Sequence, residues 1–289
     1  MHFQVQHTTH YRYSTPVWLA PHLLRLRPRC DDGARLVEHR LDIDPAPAGR
    51  SLLLDGDGNL VTRVWFVGPT TTLTVTSRFD LETARADPYD FLPDAAPLDA
   101  PYPAALRERL APWIDVDDGA GRGVEAMALD LGDASEDAHE FVARLNRRLF
   151  ETIQRQIRET GEPQPPEHTL RIGRGACRDL AVLFGAVCRR RGLAVRFVSG
   201  YQKGHDLPAG LAGGTGVGAR RRWMHAWPEV YLPGAGWRGF DPTHGEPVGA
   251  DHVALAAAAR PEDAAPIAGS FAGEARSTMT TELQIDAGG

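Results

Sequence analysis

Cys177 sits in Gly175-Ala-Cys-Arg-Asp-Leu-Ala, His225 in His225-Ala-Trp and Asp241 in Asp241-Pro-Thr. In that order the three supply a thiol nucleophile, an imidazole that can exchange a proton and a carboxylate that can orient the imidazole. Such a set performs acyl transfer: attack on a carbonyl carbon, departure of an amine, and release of the resulting thioester. The surroundings of Cys177 favour a thiolate. Leu180, Leu183, Phe184 and Val187 follow it at helical spacing, which predicts a helix over 177–191 with Gly192 as its stop. Cys177 therefore opens a helix, where orphan N–H groups and the dipole stabilise negative charge. Arg174 and Arg178 add local positive charge, and a nearby imidazolium would lower the thiol pKa further. Gly173 and Gly175 leave room for a substrate carbonyl, whose oxyanion the Cys177 N–H could hold.

His225 and Asp241 need strands. Met224-His-Ala-Trp-Pro-Glu-Val-Tyr and Trp237-Arg-Gly-Phe-Asp flank the turn Pro233-Gly-Ala-Gly. A four-residue loop, Pro233–Gly236, would pair Leu232 with Trp237 and put Asp241 on the other face from His225. A five-residue loop, Leu232–Gly236, pairs Tyr231 with Trp237 and leaves His225 and Asp241 on one face, diagonally adjacent. Catalysis requires the second register. His244 is a rival base close behind Asp241. Trp223 and Trp227 flank His225 and either wall the cleft or pack, and Gly175 is a further candidate for the cleft. Glu229 reads as a solvated strand residue.

The remaining chain supplies two surroundings for this set. Short alternating runs between residues 3 and 84, with the turn Asp55-Gly-Asp-Gly-Asn among them, predict a β-sandwich over 1–85. Pro88, Pro93, Pro97, Pro101 and Pro103 mark a linker over 86–104 that drapes over the surface. Residues 105–289 form the catalytic unit, including a final strand near 279–286. Its clearest helix spans 136–159, where Phe141, Leu145, Leu149, Ile153 and Ile157 recur every four residues. Ala194-Val-Arg-Phe-Val-Ser-Gly-Tyr is a strand, and 203–222 is a Gly-rich loop ending in three arginines. The fold class is α+β.

A chain of 289 residues with 42% hydrophobic and 24% charged residues buries a full core. Its net charge of −6 gives no reason to expect nucleic acid or an anionic membrane as partner. No signal peptide or spanning segment is visible, so a cytoplasmic location is expected, where a catalytic thiol stays free. Three cysteines do not suggest a disulfide scaffold, and Cys30 and Cys188 read as structural. No motif calls for a cofactor or a metal, and nothing fixes an oligomeric state.

Gly175-Ala-Cys-Arg-Asp-Leu-Ala, Arg196-Phe-Val-Ser-Gly-Tyr, Met224-His-Ala-Trp-Pro-Glu-Val-Tyr-Leu-Pro-Gly-Ala-Gly-Trp and Gly239-Phe-Asp-Pro-Thr-His together resemble the bacterial transglutaminase-like superfamily. His10-Tyr-Arg-Tyr-Ser-Thr-Pro-Val and Leu24-Arg-Leu-Arg-Pro-Arg resemble the β domain that precedes such cores. The resemblance implies a papain-like core, a helix bearing the cysteine packed on an antiparallel sheet. It places the nucleophile on Cys177, the general base on His225 and the orienting acid on Asp241. Arg178 stands where many relatives have Gln, and Pro228 where Val or Ala is frequent. The expected activity is hydrolysis of a peptide or amide bond through a Cys177 thioester. The alternatives are transfer to an amine, as in a protein-glutamine transglutaminase, and a catalytically idle core used for binding.

Overall fold

The computed structural model describes residues 1–30, 33–94, 96–203 and 223–288. The loop expected over 203–222 therefore lies, beyond Lys203, outside the described residues.

The N-terminal half is built on a long antiparallel pair, β1 (His2–Leu19) and β6 (Pro69–Thr83). Phe3, Val5, His7, Thr9 and Tyr11 stand opposite Leu81, Phe79, Ser77, Val75 and Leu73, so the period-two pattern puts both sets on one face. β3 (Ala34–Asp44) extends the sheet on the far side of β6. The second sheet carries β2 (His22–Leu24), β4 (Gly49–Leu54) and β5 (Leu60–Trp65). Its β4–β5 turn forms where expected: Asp55 Oδ1 accepts from the N–H of Asp57 and Asn59, and Gly58 takes a positive φ. Leu24 and Val64 of this sheet share one core with Phe3, Val75 and Leu81 of the first, the packing of a sandwich.

The linker lies against the other half. Phe91 stacks on His139, and Asp94 donates to the Pro233 carbonyl. Helices α1 (Ala104–Ile114), α2 (Arg122–Asp133) and α3 (Ala138–Thr152) follow. Phe141, Val142, Leu145 and Leu149 make the buried stripe of α3. The helix stops at Thr152 rather than 159. From there the chain pairs in parallel, β7 (Gln154–Arg155) with β8 (Arg174–Gly175), and the Gln154 N–H bonds the Gly173 carbonyl. This tertiary pairing outweighs helical periodicity. Ile153 stays buried, while Ile157 leaves the stripe and is 36% exposed.

α4 (Pro166–Ile172) leads into α5 (Cys177–Arg189), which packs on a five-stranded antiparallel sheet. That sheet runs β12 (Glu246–Pro247), β11 (Gly236–Asp241), β10 (His225–Leu232), β9 (Val195–Gln202), β13 (His252–Ala258). Leu180, Leu183, Phe184 and Val187 meet Val195, Val230, Leu232 and Phe240 in the main core, and Phe184 stacks on Phe240. Arg189 is not a solvated helix-end charge. Its buried guanidinium pairs with Asp118 and donates to the carbonyls of Trp113, Val195 and Ala259.

The end of the chain does not stay with this half. β14 (Ile267–Ala268) joins β2, β15 (Phe271–Ala272) joins the end of β1, and β16 (Ser277–Gly288) pairs with β1 from His2 to Tyr13. The tail, counted above with the catalytic unit, completes the N-terminal sheet. β1 paired only with β6 would leave a long row of unsatisfied N–H and C=O groups on its other edge. Tyr201, Val253 and Leu255 of the core sheet enter the sandwich core, so the two halves share buried apolar surface.

Candidate active site

Cys177 is the first residue of α5, and its side chain is half-buried. The helix start is fixed by Asp179, which is fully buried. Its carboxylate accepts from the N–H of Ala176 and Gln164 and from Arg158. Gly175 is needed immediately upstream: a Cβ there would lie 3.0 Å from both Asp179 Cβ and Leu180 Cδ1. His225 and the Ala226 N–H lie close enough to the Cys177 sulfur to favour its ionised form. Burial pushes the thiol pKa up. The His225 hydrogen bond and charge, the Ala226 N–H and Arg178 outweigh it, and the pKa falls below its usual value.

The hairpin takes the register that catalysis requires. Tyr231 pairs with Trp237, and the ladder closes one pair further at Leu232 and Gly236, leaving only 233–235 as the turn. His225 Nε2 lies 2.7 Å from Asp241 Oδ2. With Nε2 on the carboxylate, Nδ1 is the ring nitrogen left for the thiol. Desolvation alone would depress the His225 pKa, but the Asp241 charge and hydrogen bond and the Cys177 contact raise it to about 10. Asp241 is fully buried, a placement that would oppose ionisation. Its histidine contacts hold its pKa well below the ordinary carboxylate value. The three groups thus form one chain, and the direction of each shift favours the charged form: thiolate at Cys177, imidazolium at His225, carboxylate at Asp241.

Residues 125–242 match the family described as the transglutaminase-like superfamily, and residues 3–82 match the bacterial transglutaminase-like N-terminal region. An uncharacterized protein of Mycobacterium tuberculosis is 30% identical over 92% of this chain and 86% of its own length. The chain belongs to the transglutaminase-like superfamily. An uncharacterized protein of Mycobacterium leprae is 27% identical over 98% of this chain and 97% of its own. A candidate cysteine protease from Cytophaga hutchinsonii superposes with a TM-score of 0.70 over 100% of this chain and 92% of its own, at 19% identity, a likeness of fold. No helix among the described residues is long and apolar enough to cross a membrane.

Other residues of this superfamily member take places that sequence reasoning left open or set differently. Gly175 is buried against Thr169, Asp179 and Leu180 and so serves packing rather than an open cleft. Trp227 is 1% exposed, packs with Val198 and Ala257, and lies 6.1 Å from the His225 ring. It also lines a cavity of about 400 Å³ between the sheet and the N-terminal half, with Arg196 and Trp237. Trp223 is half-buried beside the undescribed segment. Glu229 is not a solvated residue: its carboxylate is 14% exposed and pairs with Arg196 at 2.5 Å, and Arg196 stacks over Trp237.

Around Asp241 the structure adds three partners. Asp241 Oδ1 accepts both the N–H and the hydroxyl of Thr243. The turn role of Asp-Pro-Thr and the orienting role of the acid therefore coincide in one side chain. His244 Nδ1 lies 2.7 Å from Asp241 Oδ2, while its Nε2 accepts from Arg155 Nη1 at 3.1 Å. The rival base is thus a second imidazole on the same carboxylate. Burial lowers its pKa, with help from the charges of His225 and Arg155 and against the pull of Asp241. His252, at 3.2 Å from the same oxygen, carries no motif in the sequence. Asp179 had one: an acid three residues after the helix N-cap.

His225, Asp241 and His252 bring ligand-type atoms within 4.8 Å of one another. The same atoms are engaged in hydrogen bonds, two imidazole N–H groups converging on one carboxylate oxygen. That use of the nitrogens is for protons and fits acid–base work rather than metal ligation.

Proposed function

We propose that the chain is a cysteine-dependent acyl-transfer enzyme that hydrolyses a peptide or amide bond. The observation that carries this reading is the continuous contact Cys177–His225–Asp241, with the thiol at a helix N-terminus. Cys177 thiolate attacks the carbonyl carbon, and the Cys177 N–H holds the oxyanion. The His225 imidazolium gives its proton to the leaving amine as the C–N bond breaks, leaving a thioester. Neutral His225 then takes a proton from water, which attacks the thioester and frees the acid and the Cys177 thiolate, restoring the thiolate–imidazolium pair. Asp241 keeps the His225 tautomer and orientation throughout.

Water is the favoured acceptor because it needs no second binding site; an amine entering at the same step gives the transamidase. Three free cysteines agree with a cytoplasmic, reducing setting. The test is a peptide-amide library assayed for amine release, repeated with a labelled amine present. Turnover by the parent and none by Cys177→Ala, with an unchanged circular dichroism spectrum, is expected. Equal turnover by both proteins overturns the reading, and label incorporation exceeding hydrolysis replaces the hydrolase with the transferase.

A further inference from the structure

We infer that His252 is a positioning residue for this reaction, held as an imidazolium between Asp251 and Asp241 so that it fixes the Asp241 oxygen that His225 uses. The inference rests on the proposed role of Cys177, His225 and Asp241. His252 itself lies beyond residues 125–242, the stretch that matches the superfamily.

Both ring nitrogens of His252 face carboxylates. Nδ1 is 2.7 Å from Asp251 Oδ1, and Nε2 is 3.2 Å from Asp241 Oδ2. An ionised carboxylate only accepts, so each contact needs its own N–H, and an imidazole with two N–H groups is a cation. Asp241 is kept ionised by the Thr243 and histidine donors described above. Asp251 keeps 29% of its side chain in water, which solvates its charge. The His252 side chain is 3% exposed, so its charge is balanced by these two carboxylates rather than by solvent. The ring sits edge-on to Trp227 at 5.1 Å and 5.9 Å from the His225 ring. On the side of the interdomain cavity, Arg29, Arg85, Arg196, Arg238 and Glu229 share the lining with it, and the two carboxylates in direct contact dominate over these more distant charges.

The consequence is an alternating line of charge: Asp251, His252, Asp241, His225, Cys177. Asp241 stands on β11 and His252 on β13, with β10 and β9 between them. The contact therefore ties the two flanks of the sheet and holds the same carboxylate oxygen that His225 uses. The direction of the His252 pKa, raised against desolvation by Asp241 and Asp251, agrees with the geometry.

The test reads ring protonation and thiol reactivity, neither of which requires turnover. Two-dimensional 15N–1H spectra of the histidine rings at pH 7 should show His252 protonated on both nitrogens. Asp251→Asn should lower the pH at which that ring loses a proton. The alkylation rate of Cys177 by iodoacetamide is then followed against pH in the parent, His252→Gln and His252→Phe. Removing a buried cation disfavours the thiolate and relieves repulsion on the His225 imidazolium. Both limbs of the profile should therefore move to higher pH, by about one unit. Gln keeps a donor to Asp241, so an equal shift in both variants assigns the effect to charge, and a larger one in Phe adds the lost hydrogen bond. A singly protonated His252 ring at pH 7, or profiles identical to the parent, overturns the inference. If His252→Phe does not fold, the parent and Asp251→Asn spectra decide. Failure of the proposed function is seen separately, as a parent Cys177 that titrates like an ordinary thiol.

Discussion

Tyr231 stands directly opposite Trp237 across the β10–β11 ladder, with Leu232 opposite Gly236. A slip of one residue would carry Asp241 to the face occupied by Phe240 and α5 and away from His225. The register of one short hairpin thus decides whether the acid and the base meet.

Removing the imidazole should separate the thiol from its partner. In His225→Ala, alkylation of Cys177 below pH 7 is expected to vanish and reactivity to rise only near the ordinary thiol pKa of about 8.5. In Asp241→Asn the fold should persist and turnover fall on the order of 10³–10⁴-fold, because the His225 tautomer is no longer imposed. Peptide mass spectrometry of Cys177, with Cys30 and Cys188 as internal references, checks the first; initial rates check the second. Unchanged low-pH alkylation in His225→Ala would sink the thiolate–imidazolium pair.

The pH dependence of turnover follows from the two opposite shifts. A lowered thiol pKa means the thiolate forms as pH rises through a value below the usual one. A raised His225 pKa means the imidazolium persists until pH passes about 10. Activity should therefore be lost on the acid side as Cys177 protonates and on the alkaline side as His225 deprotonates, with a plateau across neutrality. A kcat/KM profile that still climbs steeply between pH 7 and 9 would contradict it.

Gly200 faces His225 across the β9–β10 ladder. A Cβ there would lie 2.1 Å from the Val253 carbonyl and 2.7 Å from the Trp227 ring. Neither can move without disturbing the sheet that carries His225 and His252. Gly200→Ala should cost about 1–3 kcal/mol of stability, as other overpacking changes do. Urea denaturation of the purified protein measures it, and a midpoint within error of the parent would refute the packing argument.

How much of this was legible in the chain depended on how local the cause was. The start of α5 at Cys177 follows from the apolar period of Leu180, Leu183, Phe184 and Val187; Pro233-Gly-Ala-Gly marks the hairpin but left two registers open, and only the need to bring His225 and Asp241 to one face chose between them. The end of α3 was not legible, because Gln154 is drawn out of the helix by Gly173, distant in sequence. The third imidazole on Asp241 was not legible either: His252 reaches it across two strands, and nothing in Asp251-His252 announces that neighbour. The partner of the tail, β1, was hidden for the same reason.

Stability should weaken on mild acidification for a reason separate from the active site. His7 is 2% exposed, its Nδ1 lies 2.7 Å from the Tyr201 hydroxyl, and burial lowers its pKa from 6.5 to about 4. The unfolded chain binds this proton more tightly than the folded one. The contribution is intact above pH 6.5 and is lost progressively between pH 6.5 and about 4, to the extent of about 3 kcal/mol. Chemical denaturation at pH 7.5 and 4.5, parent against His7→Phe, isolates it: the parent should lose more stability on acidification than the variant. Equal losses would remove His7 from the account.

β1 has its outer partner in β16, so it waits on the ribosome for a strand made much later. During synthesis the helix of Cys177 and the strands of His225, Asp241 and His252 emerge while the long edge of β1 is still bare. A sticky edge of this kind is the usual template for pairing with another chain. Synthesis of Ser277–Gly288 is thus the moment at which this edge gains its own seal against aggregation, and truncation within that strand reopens it at a point far away in the sequence.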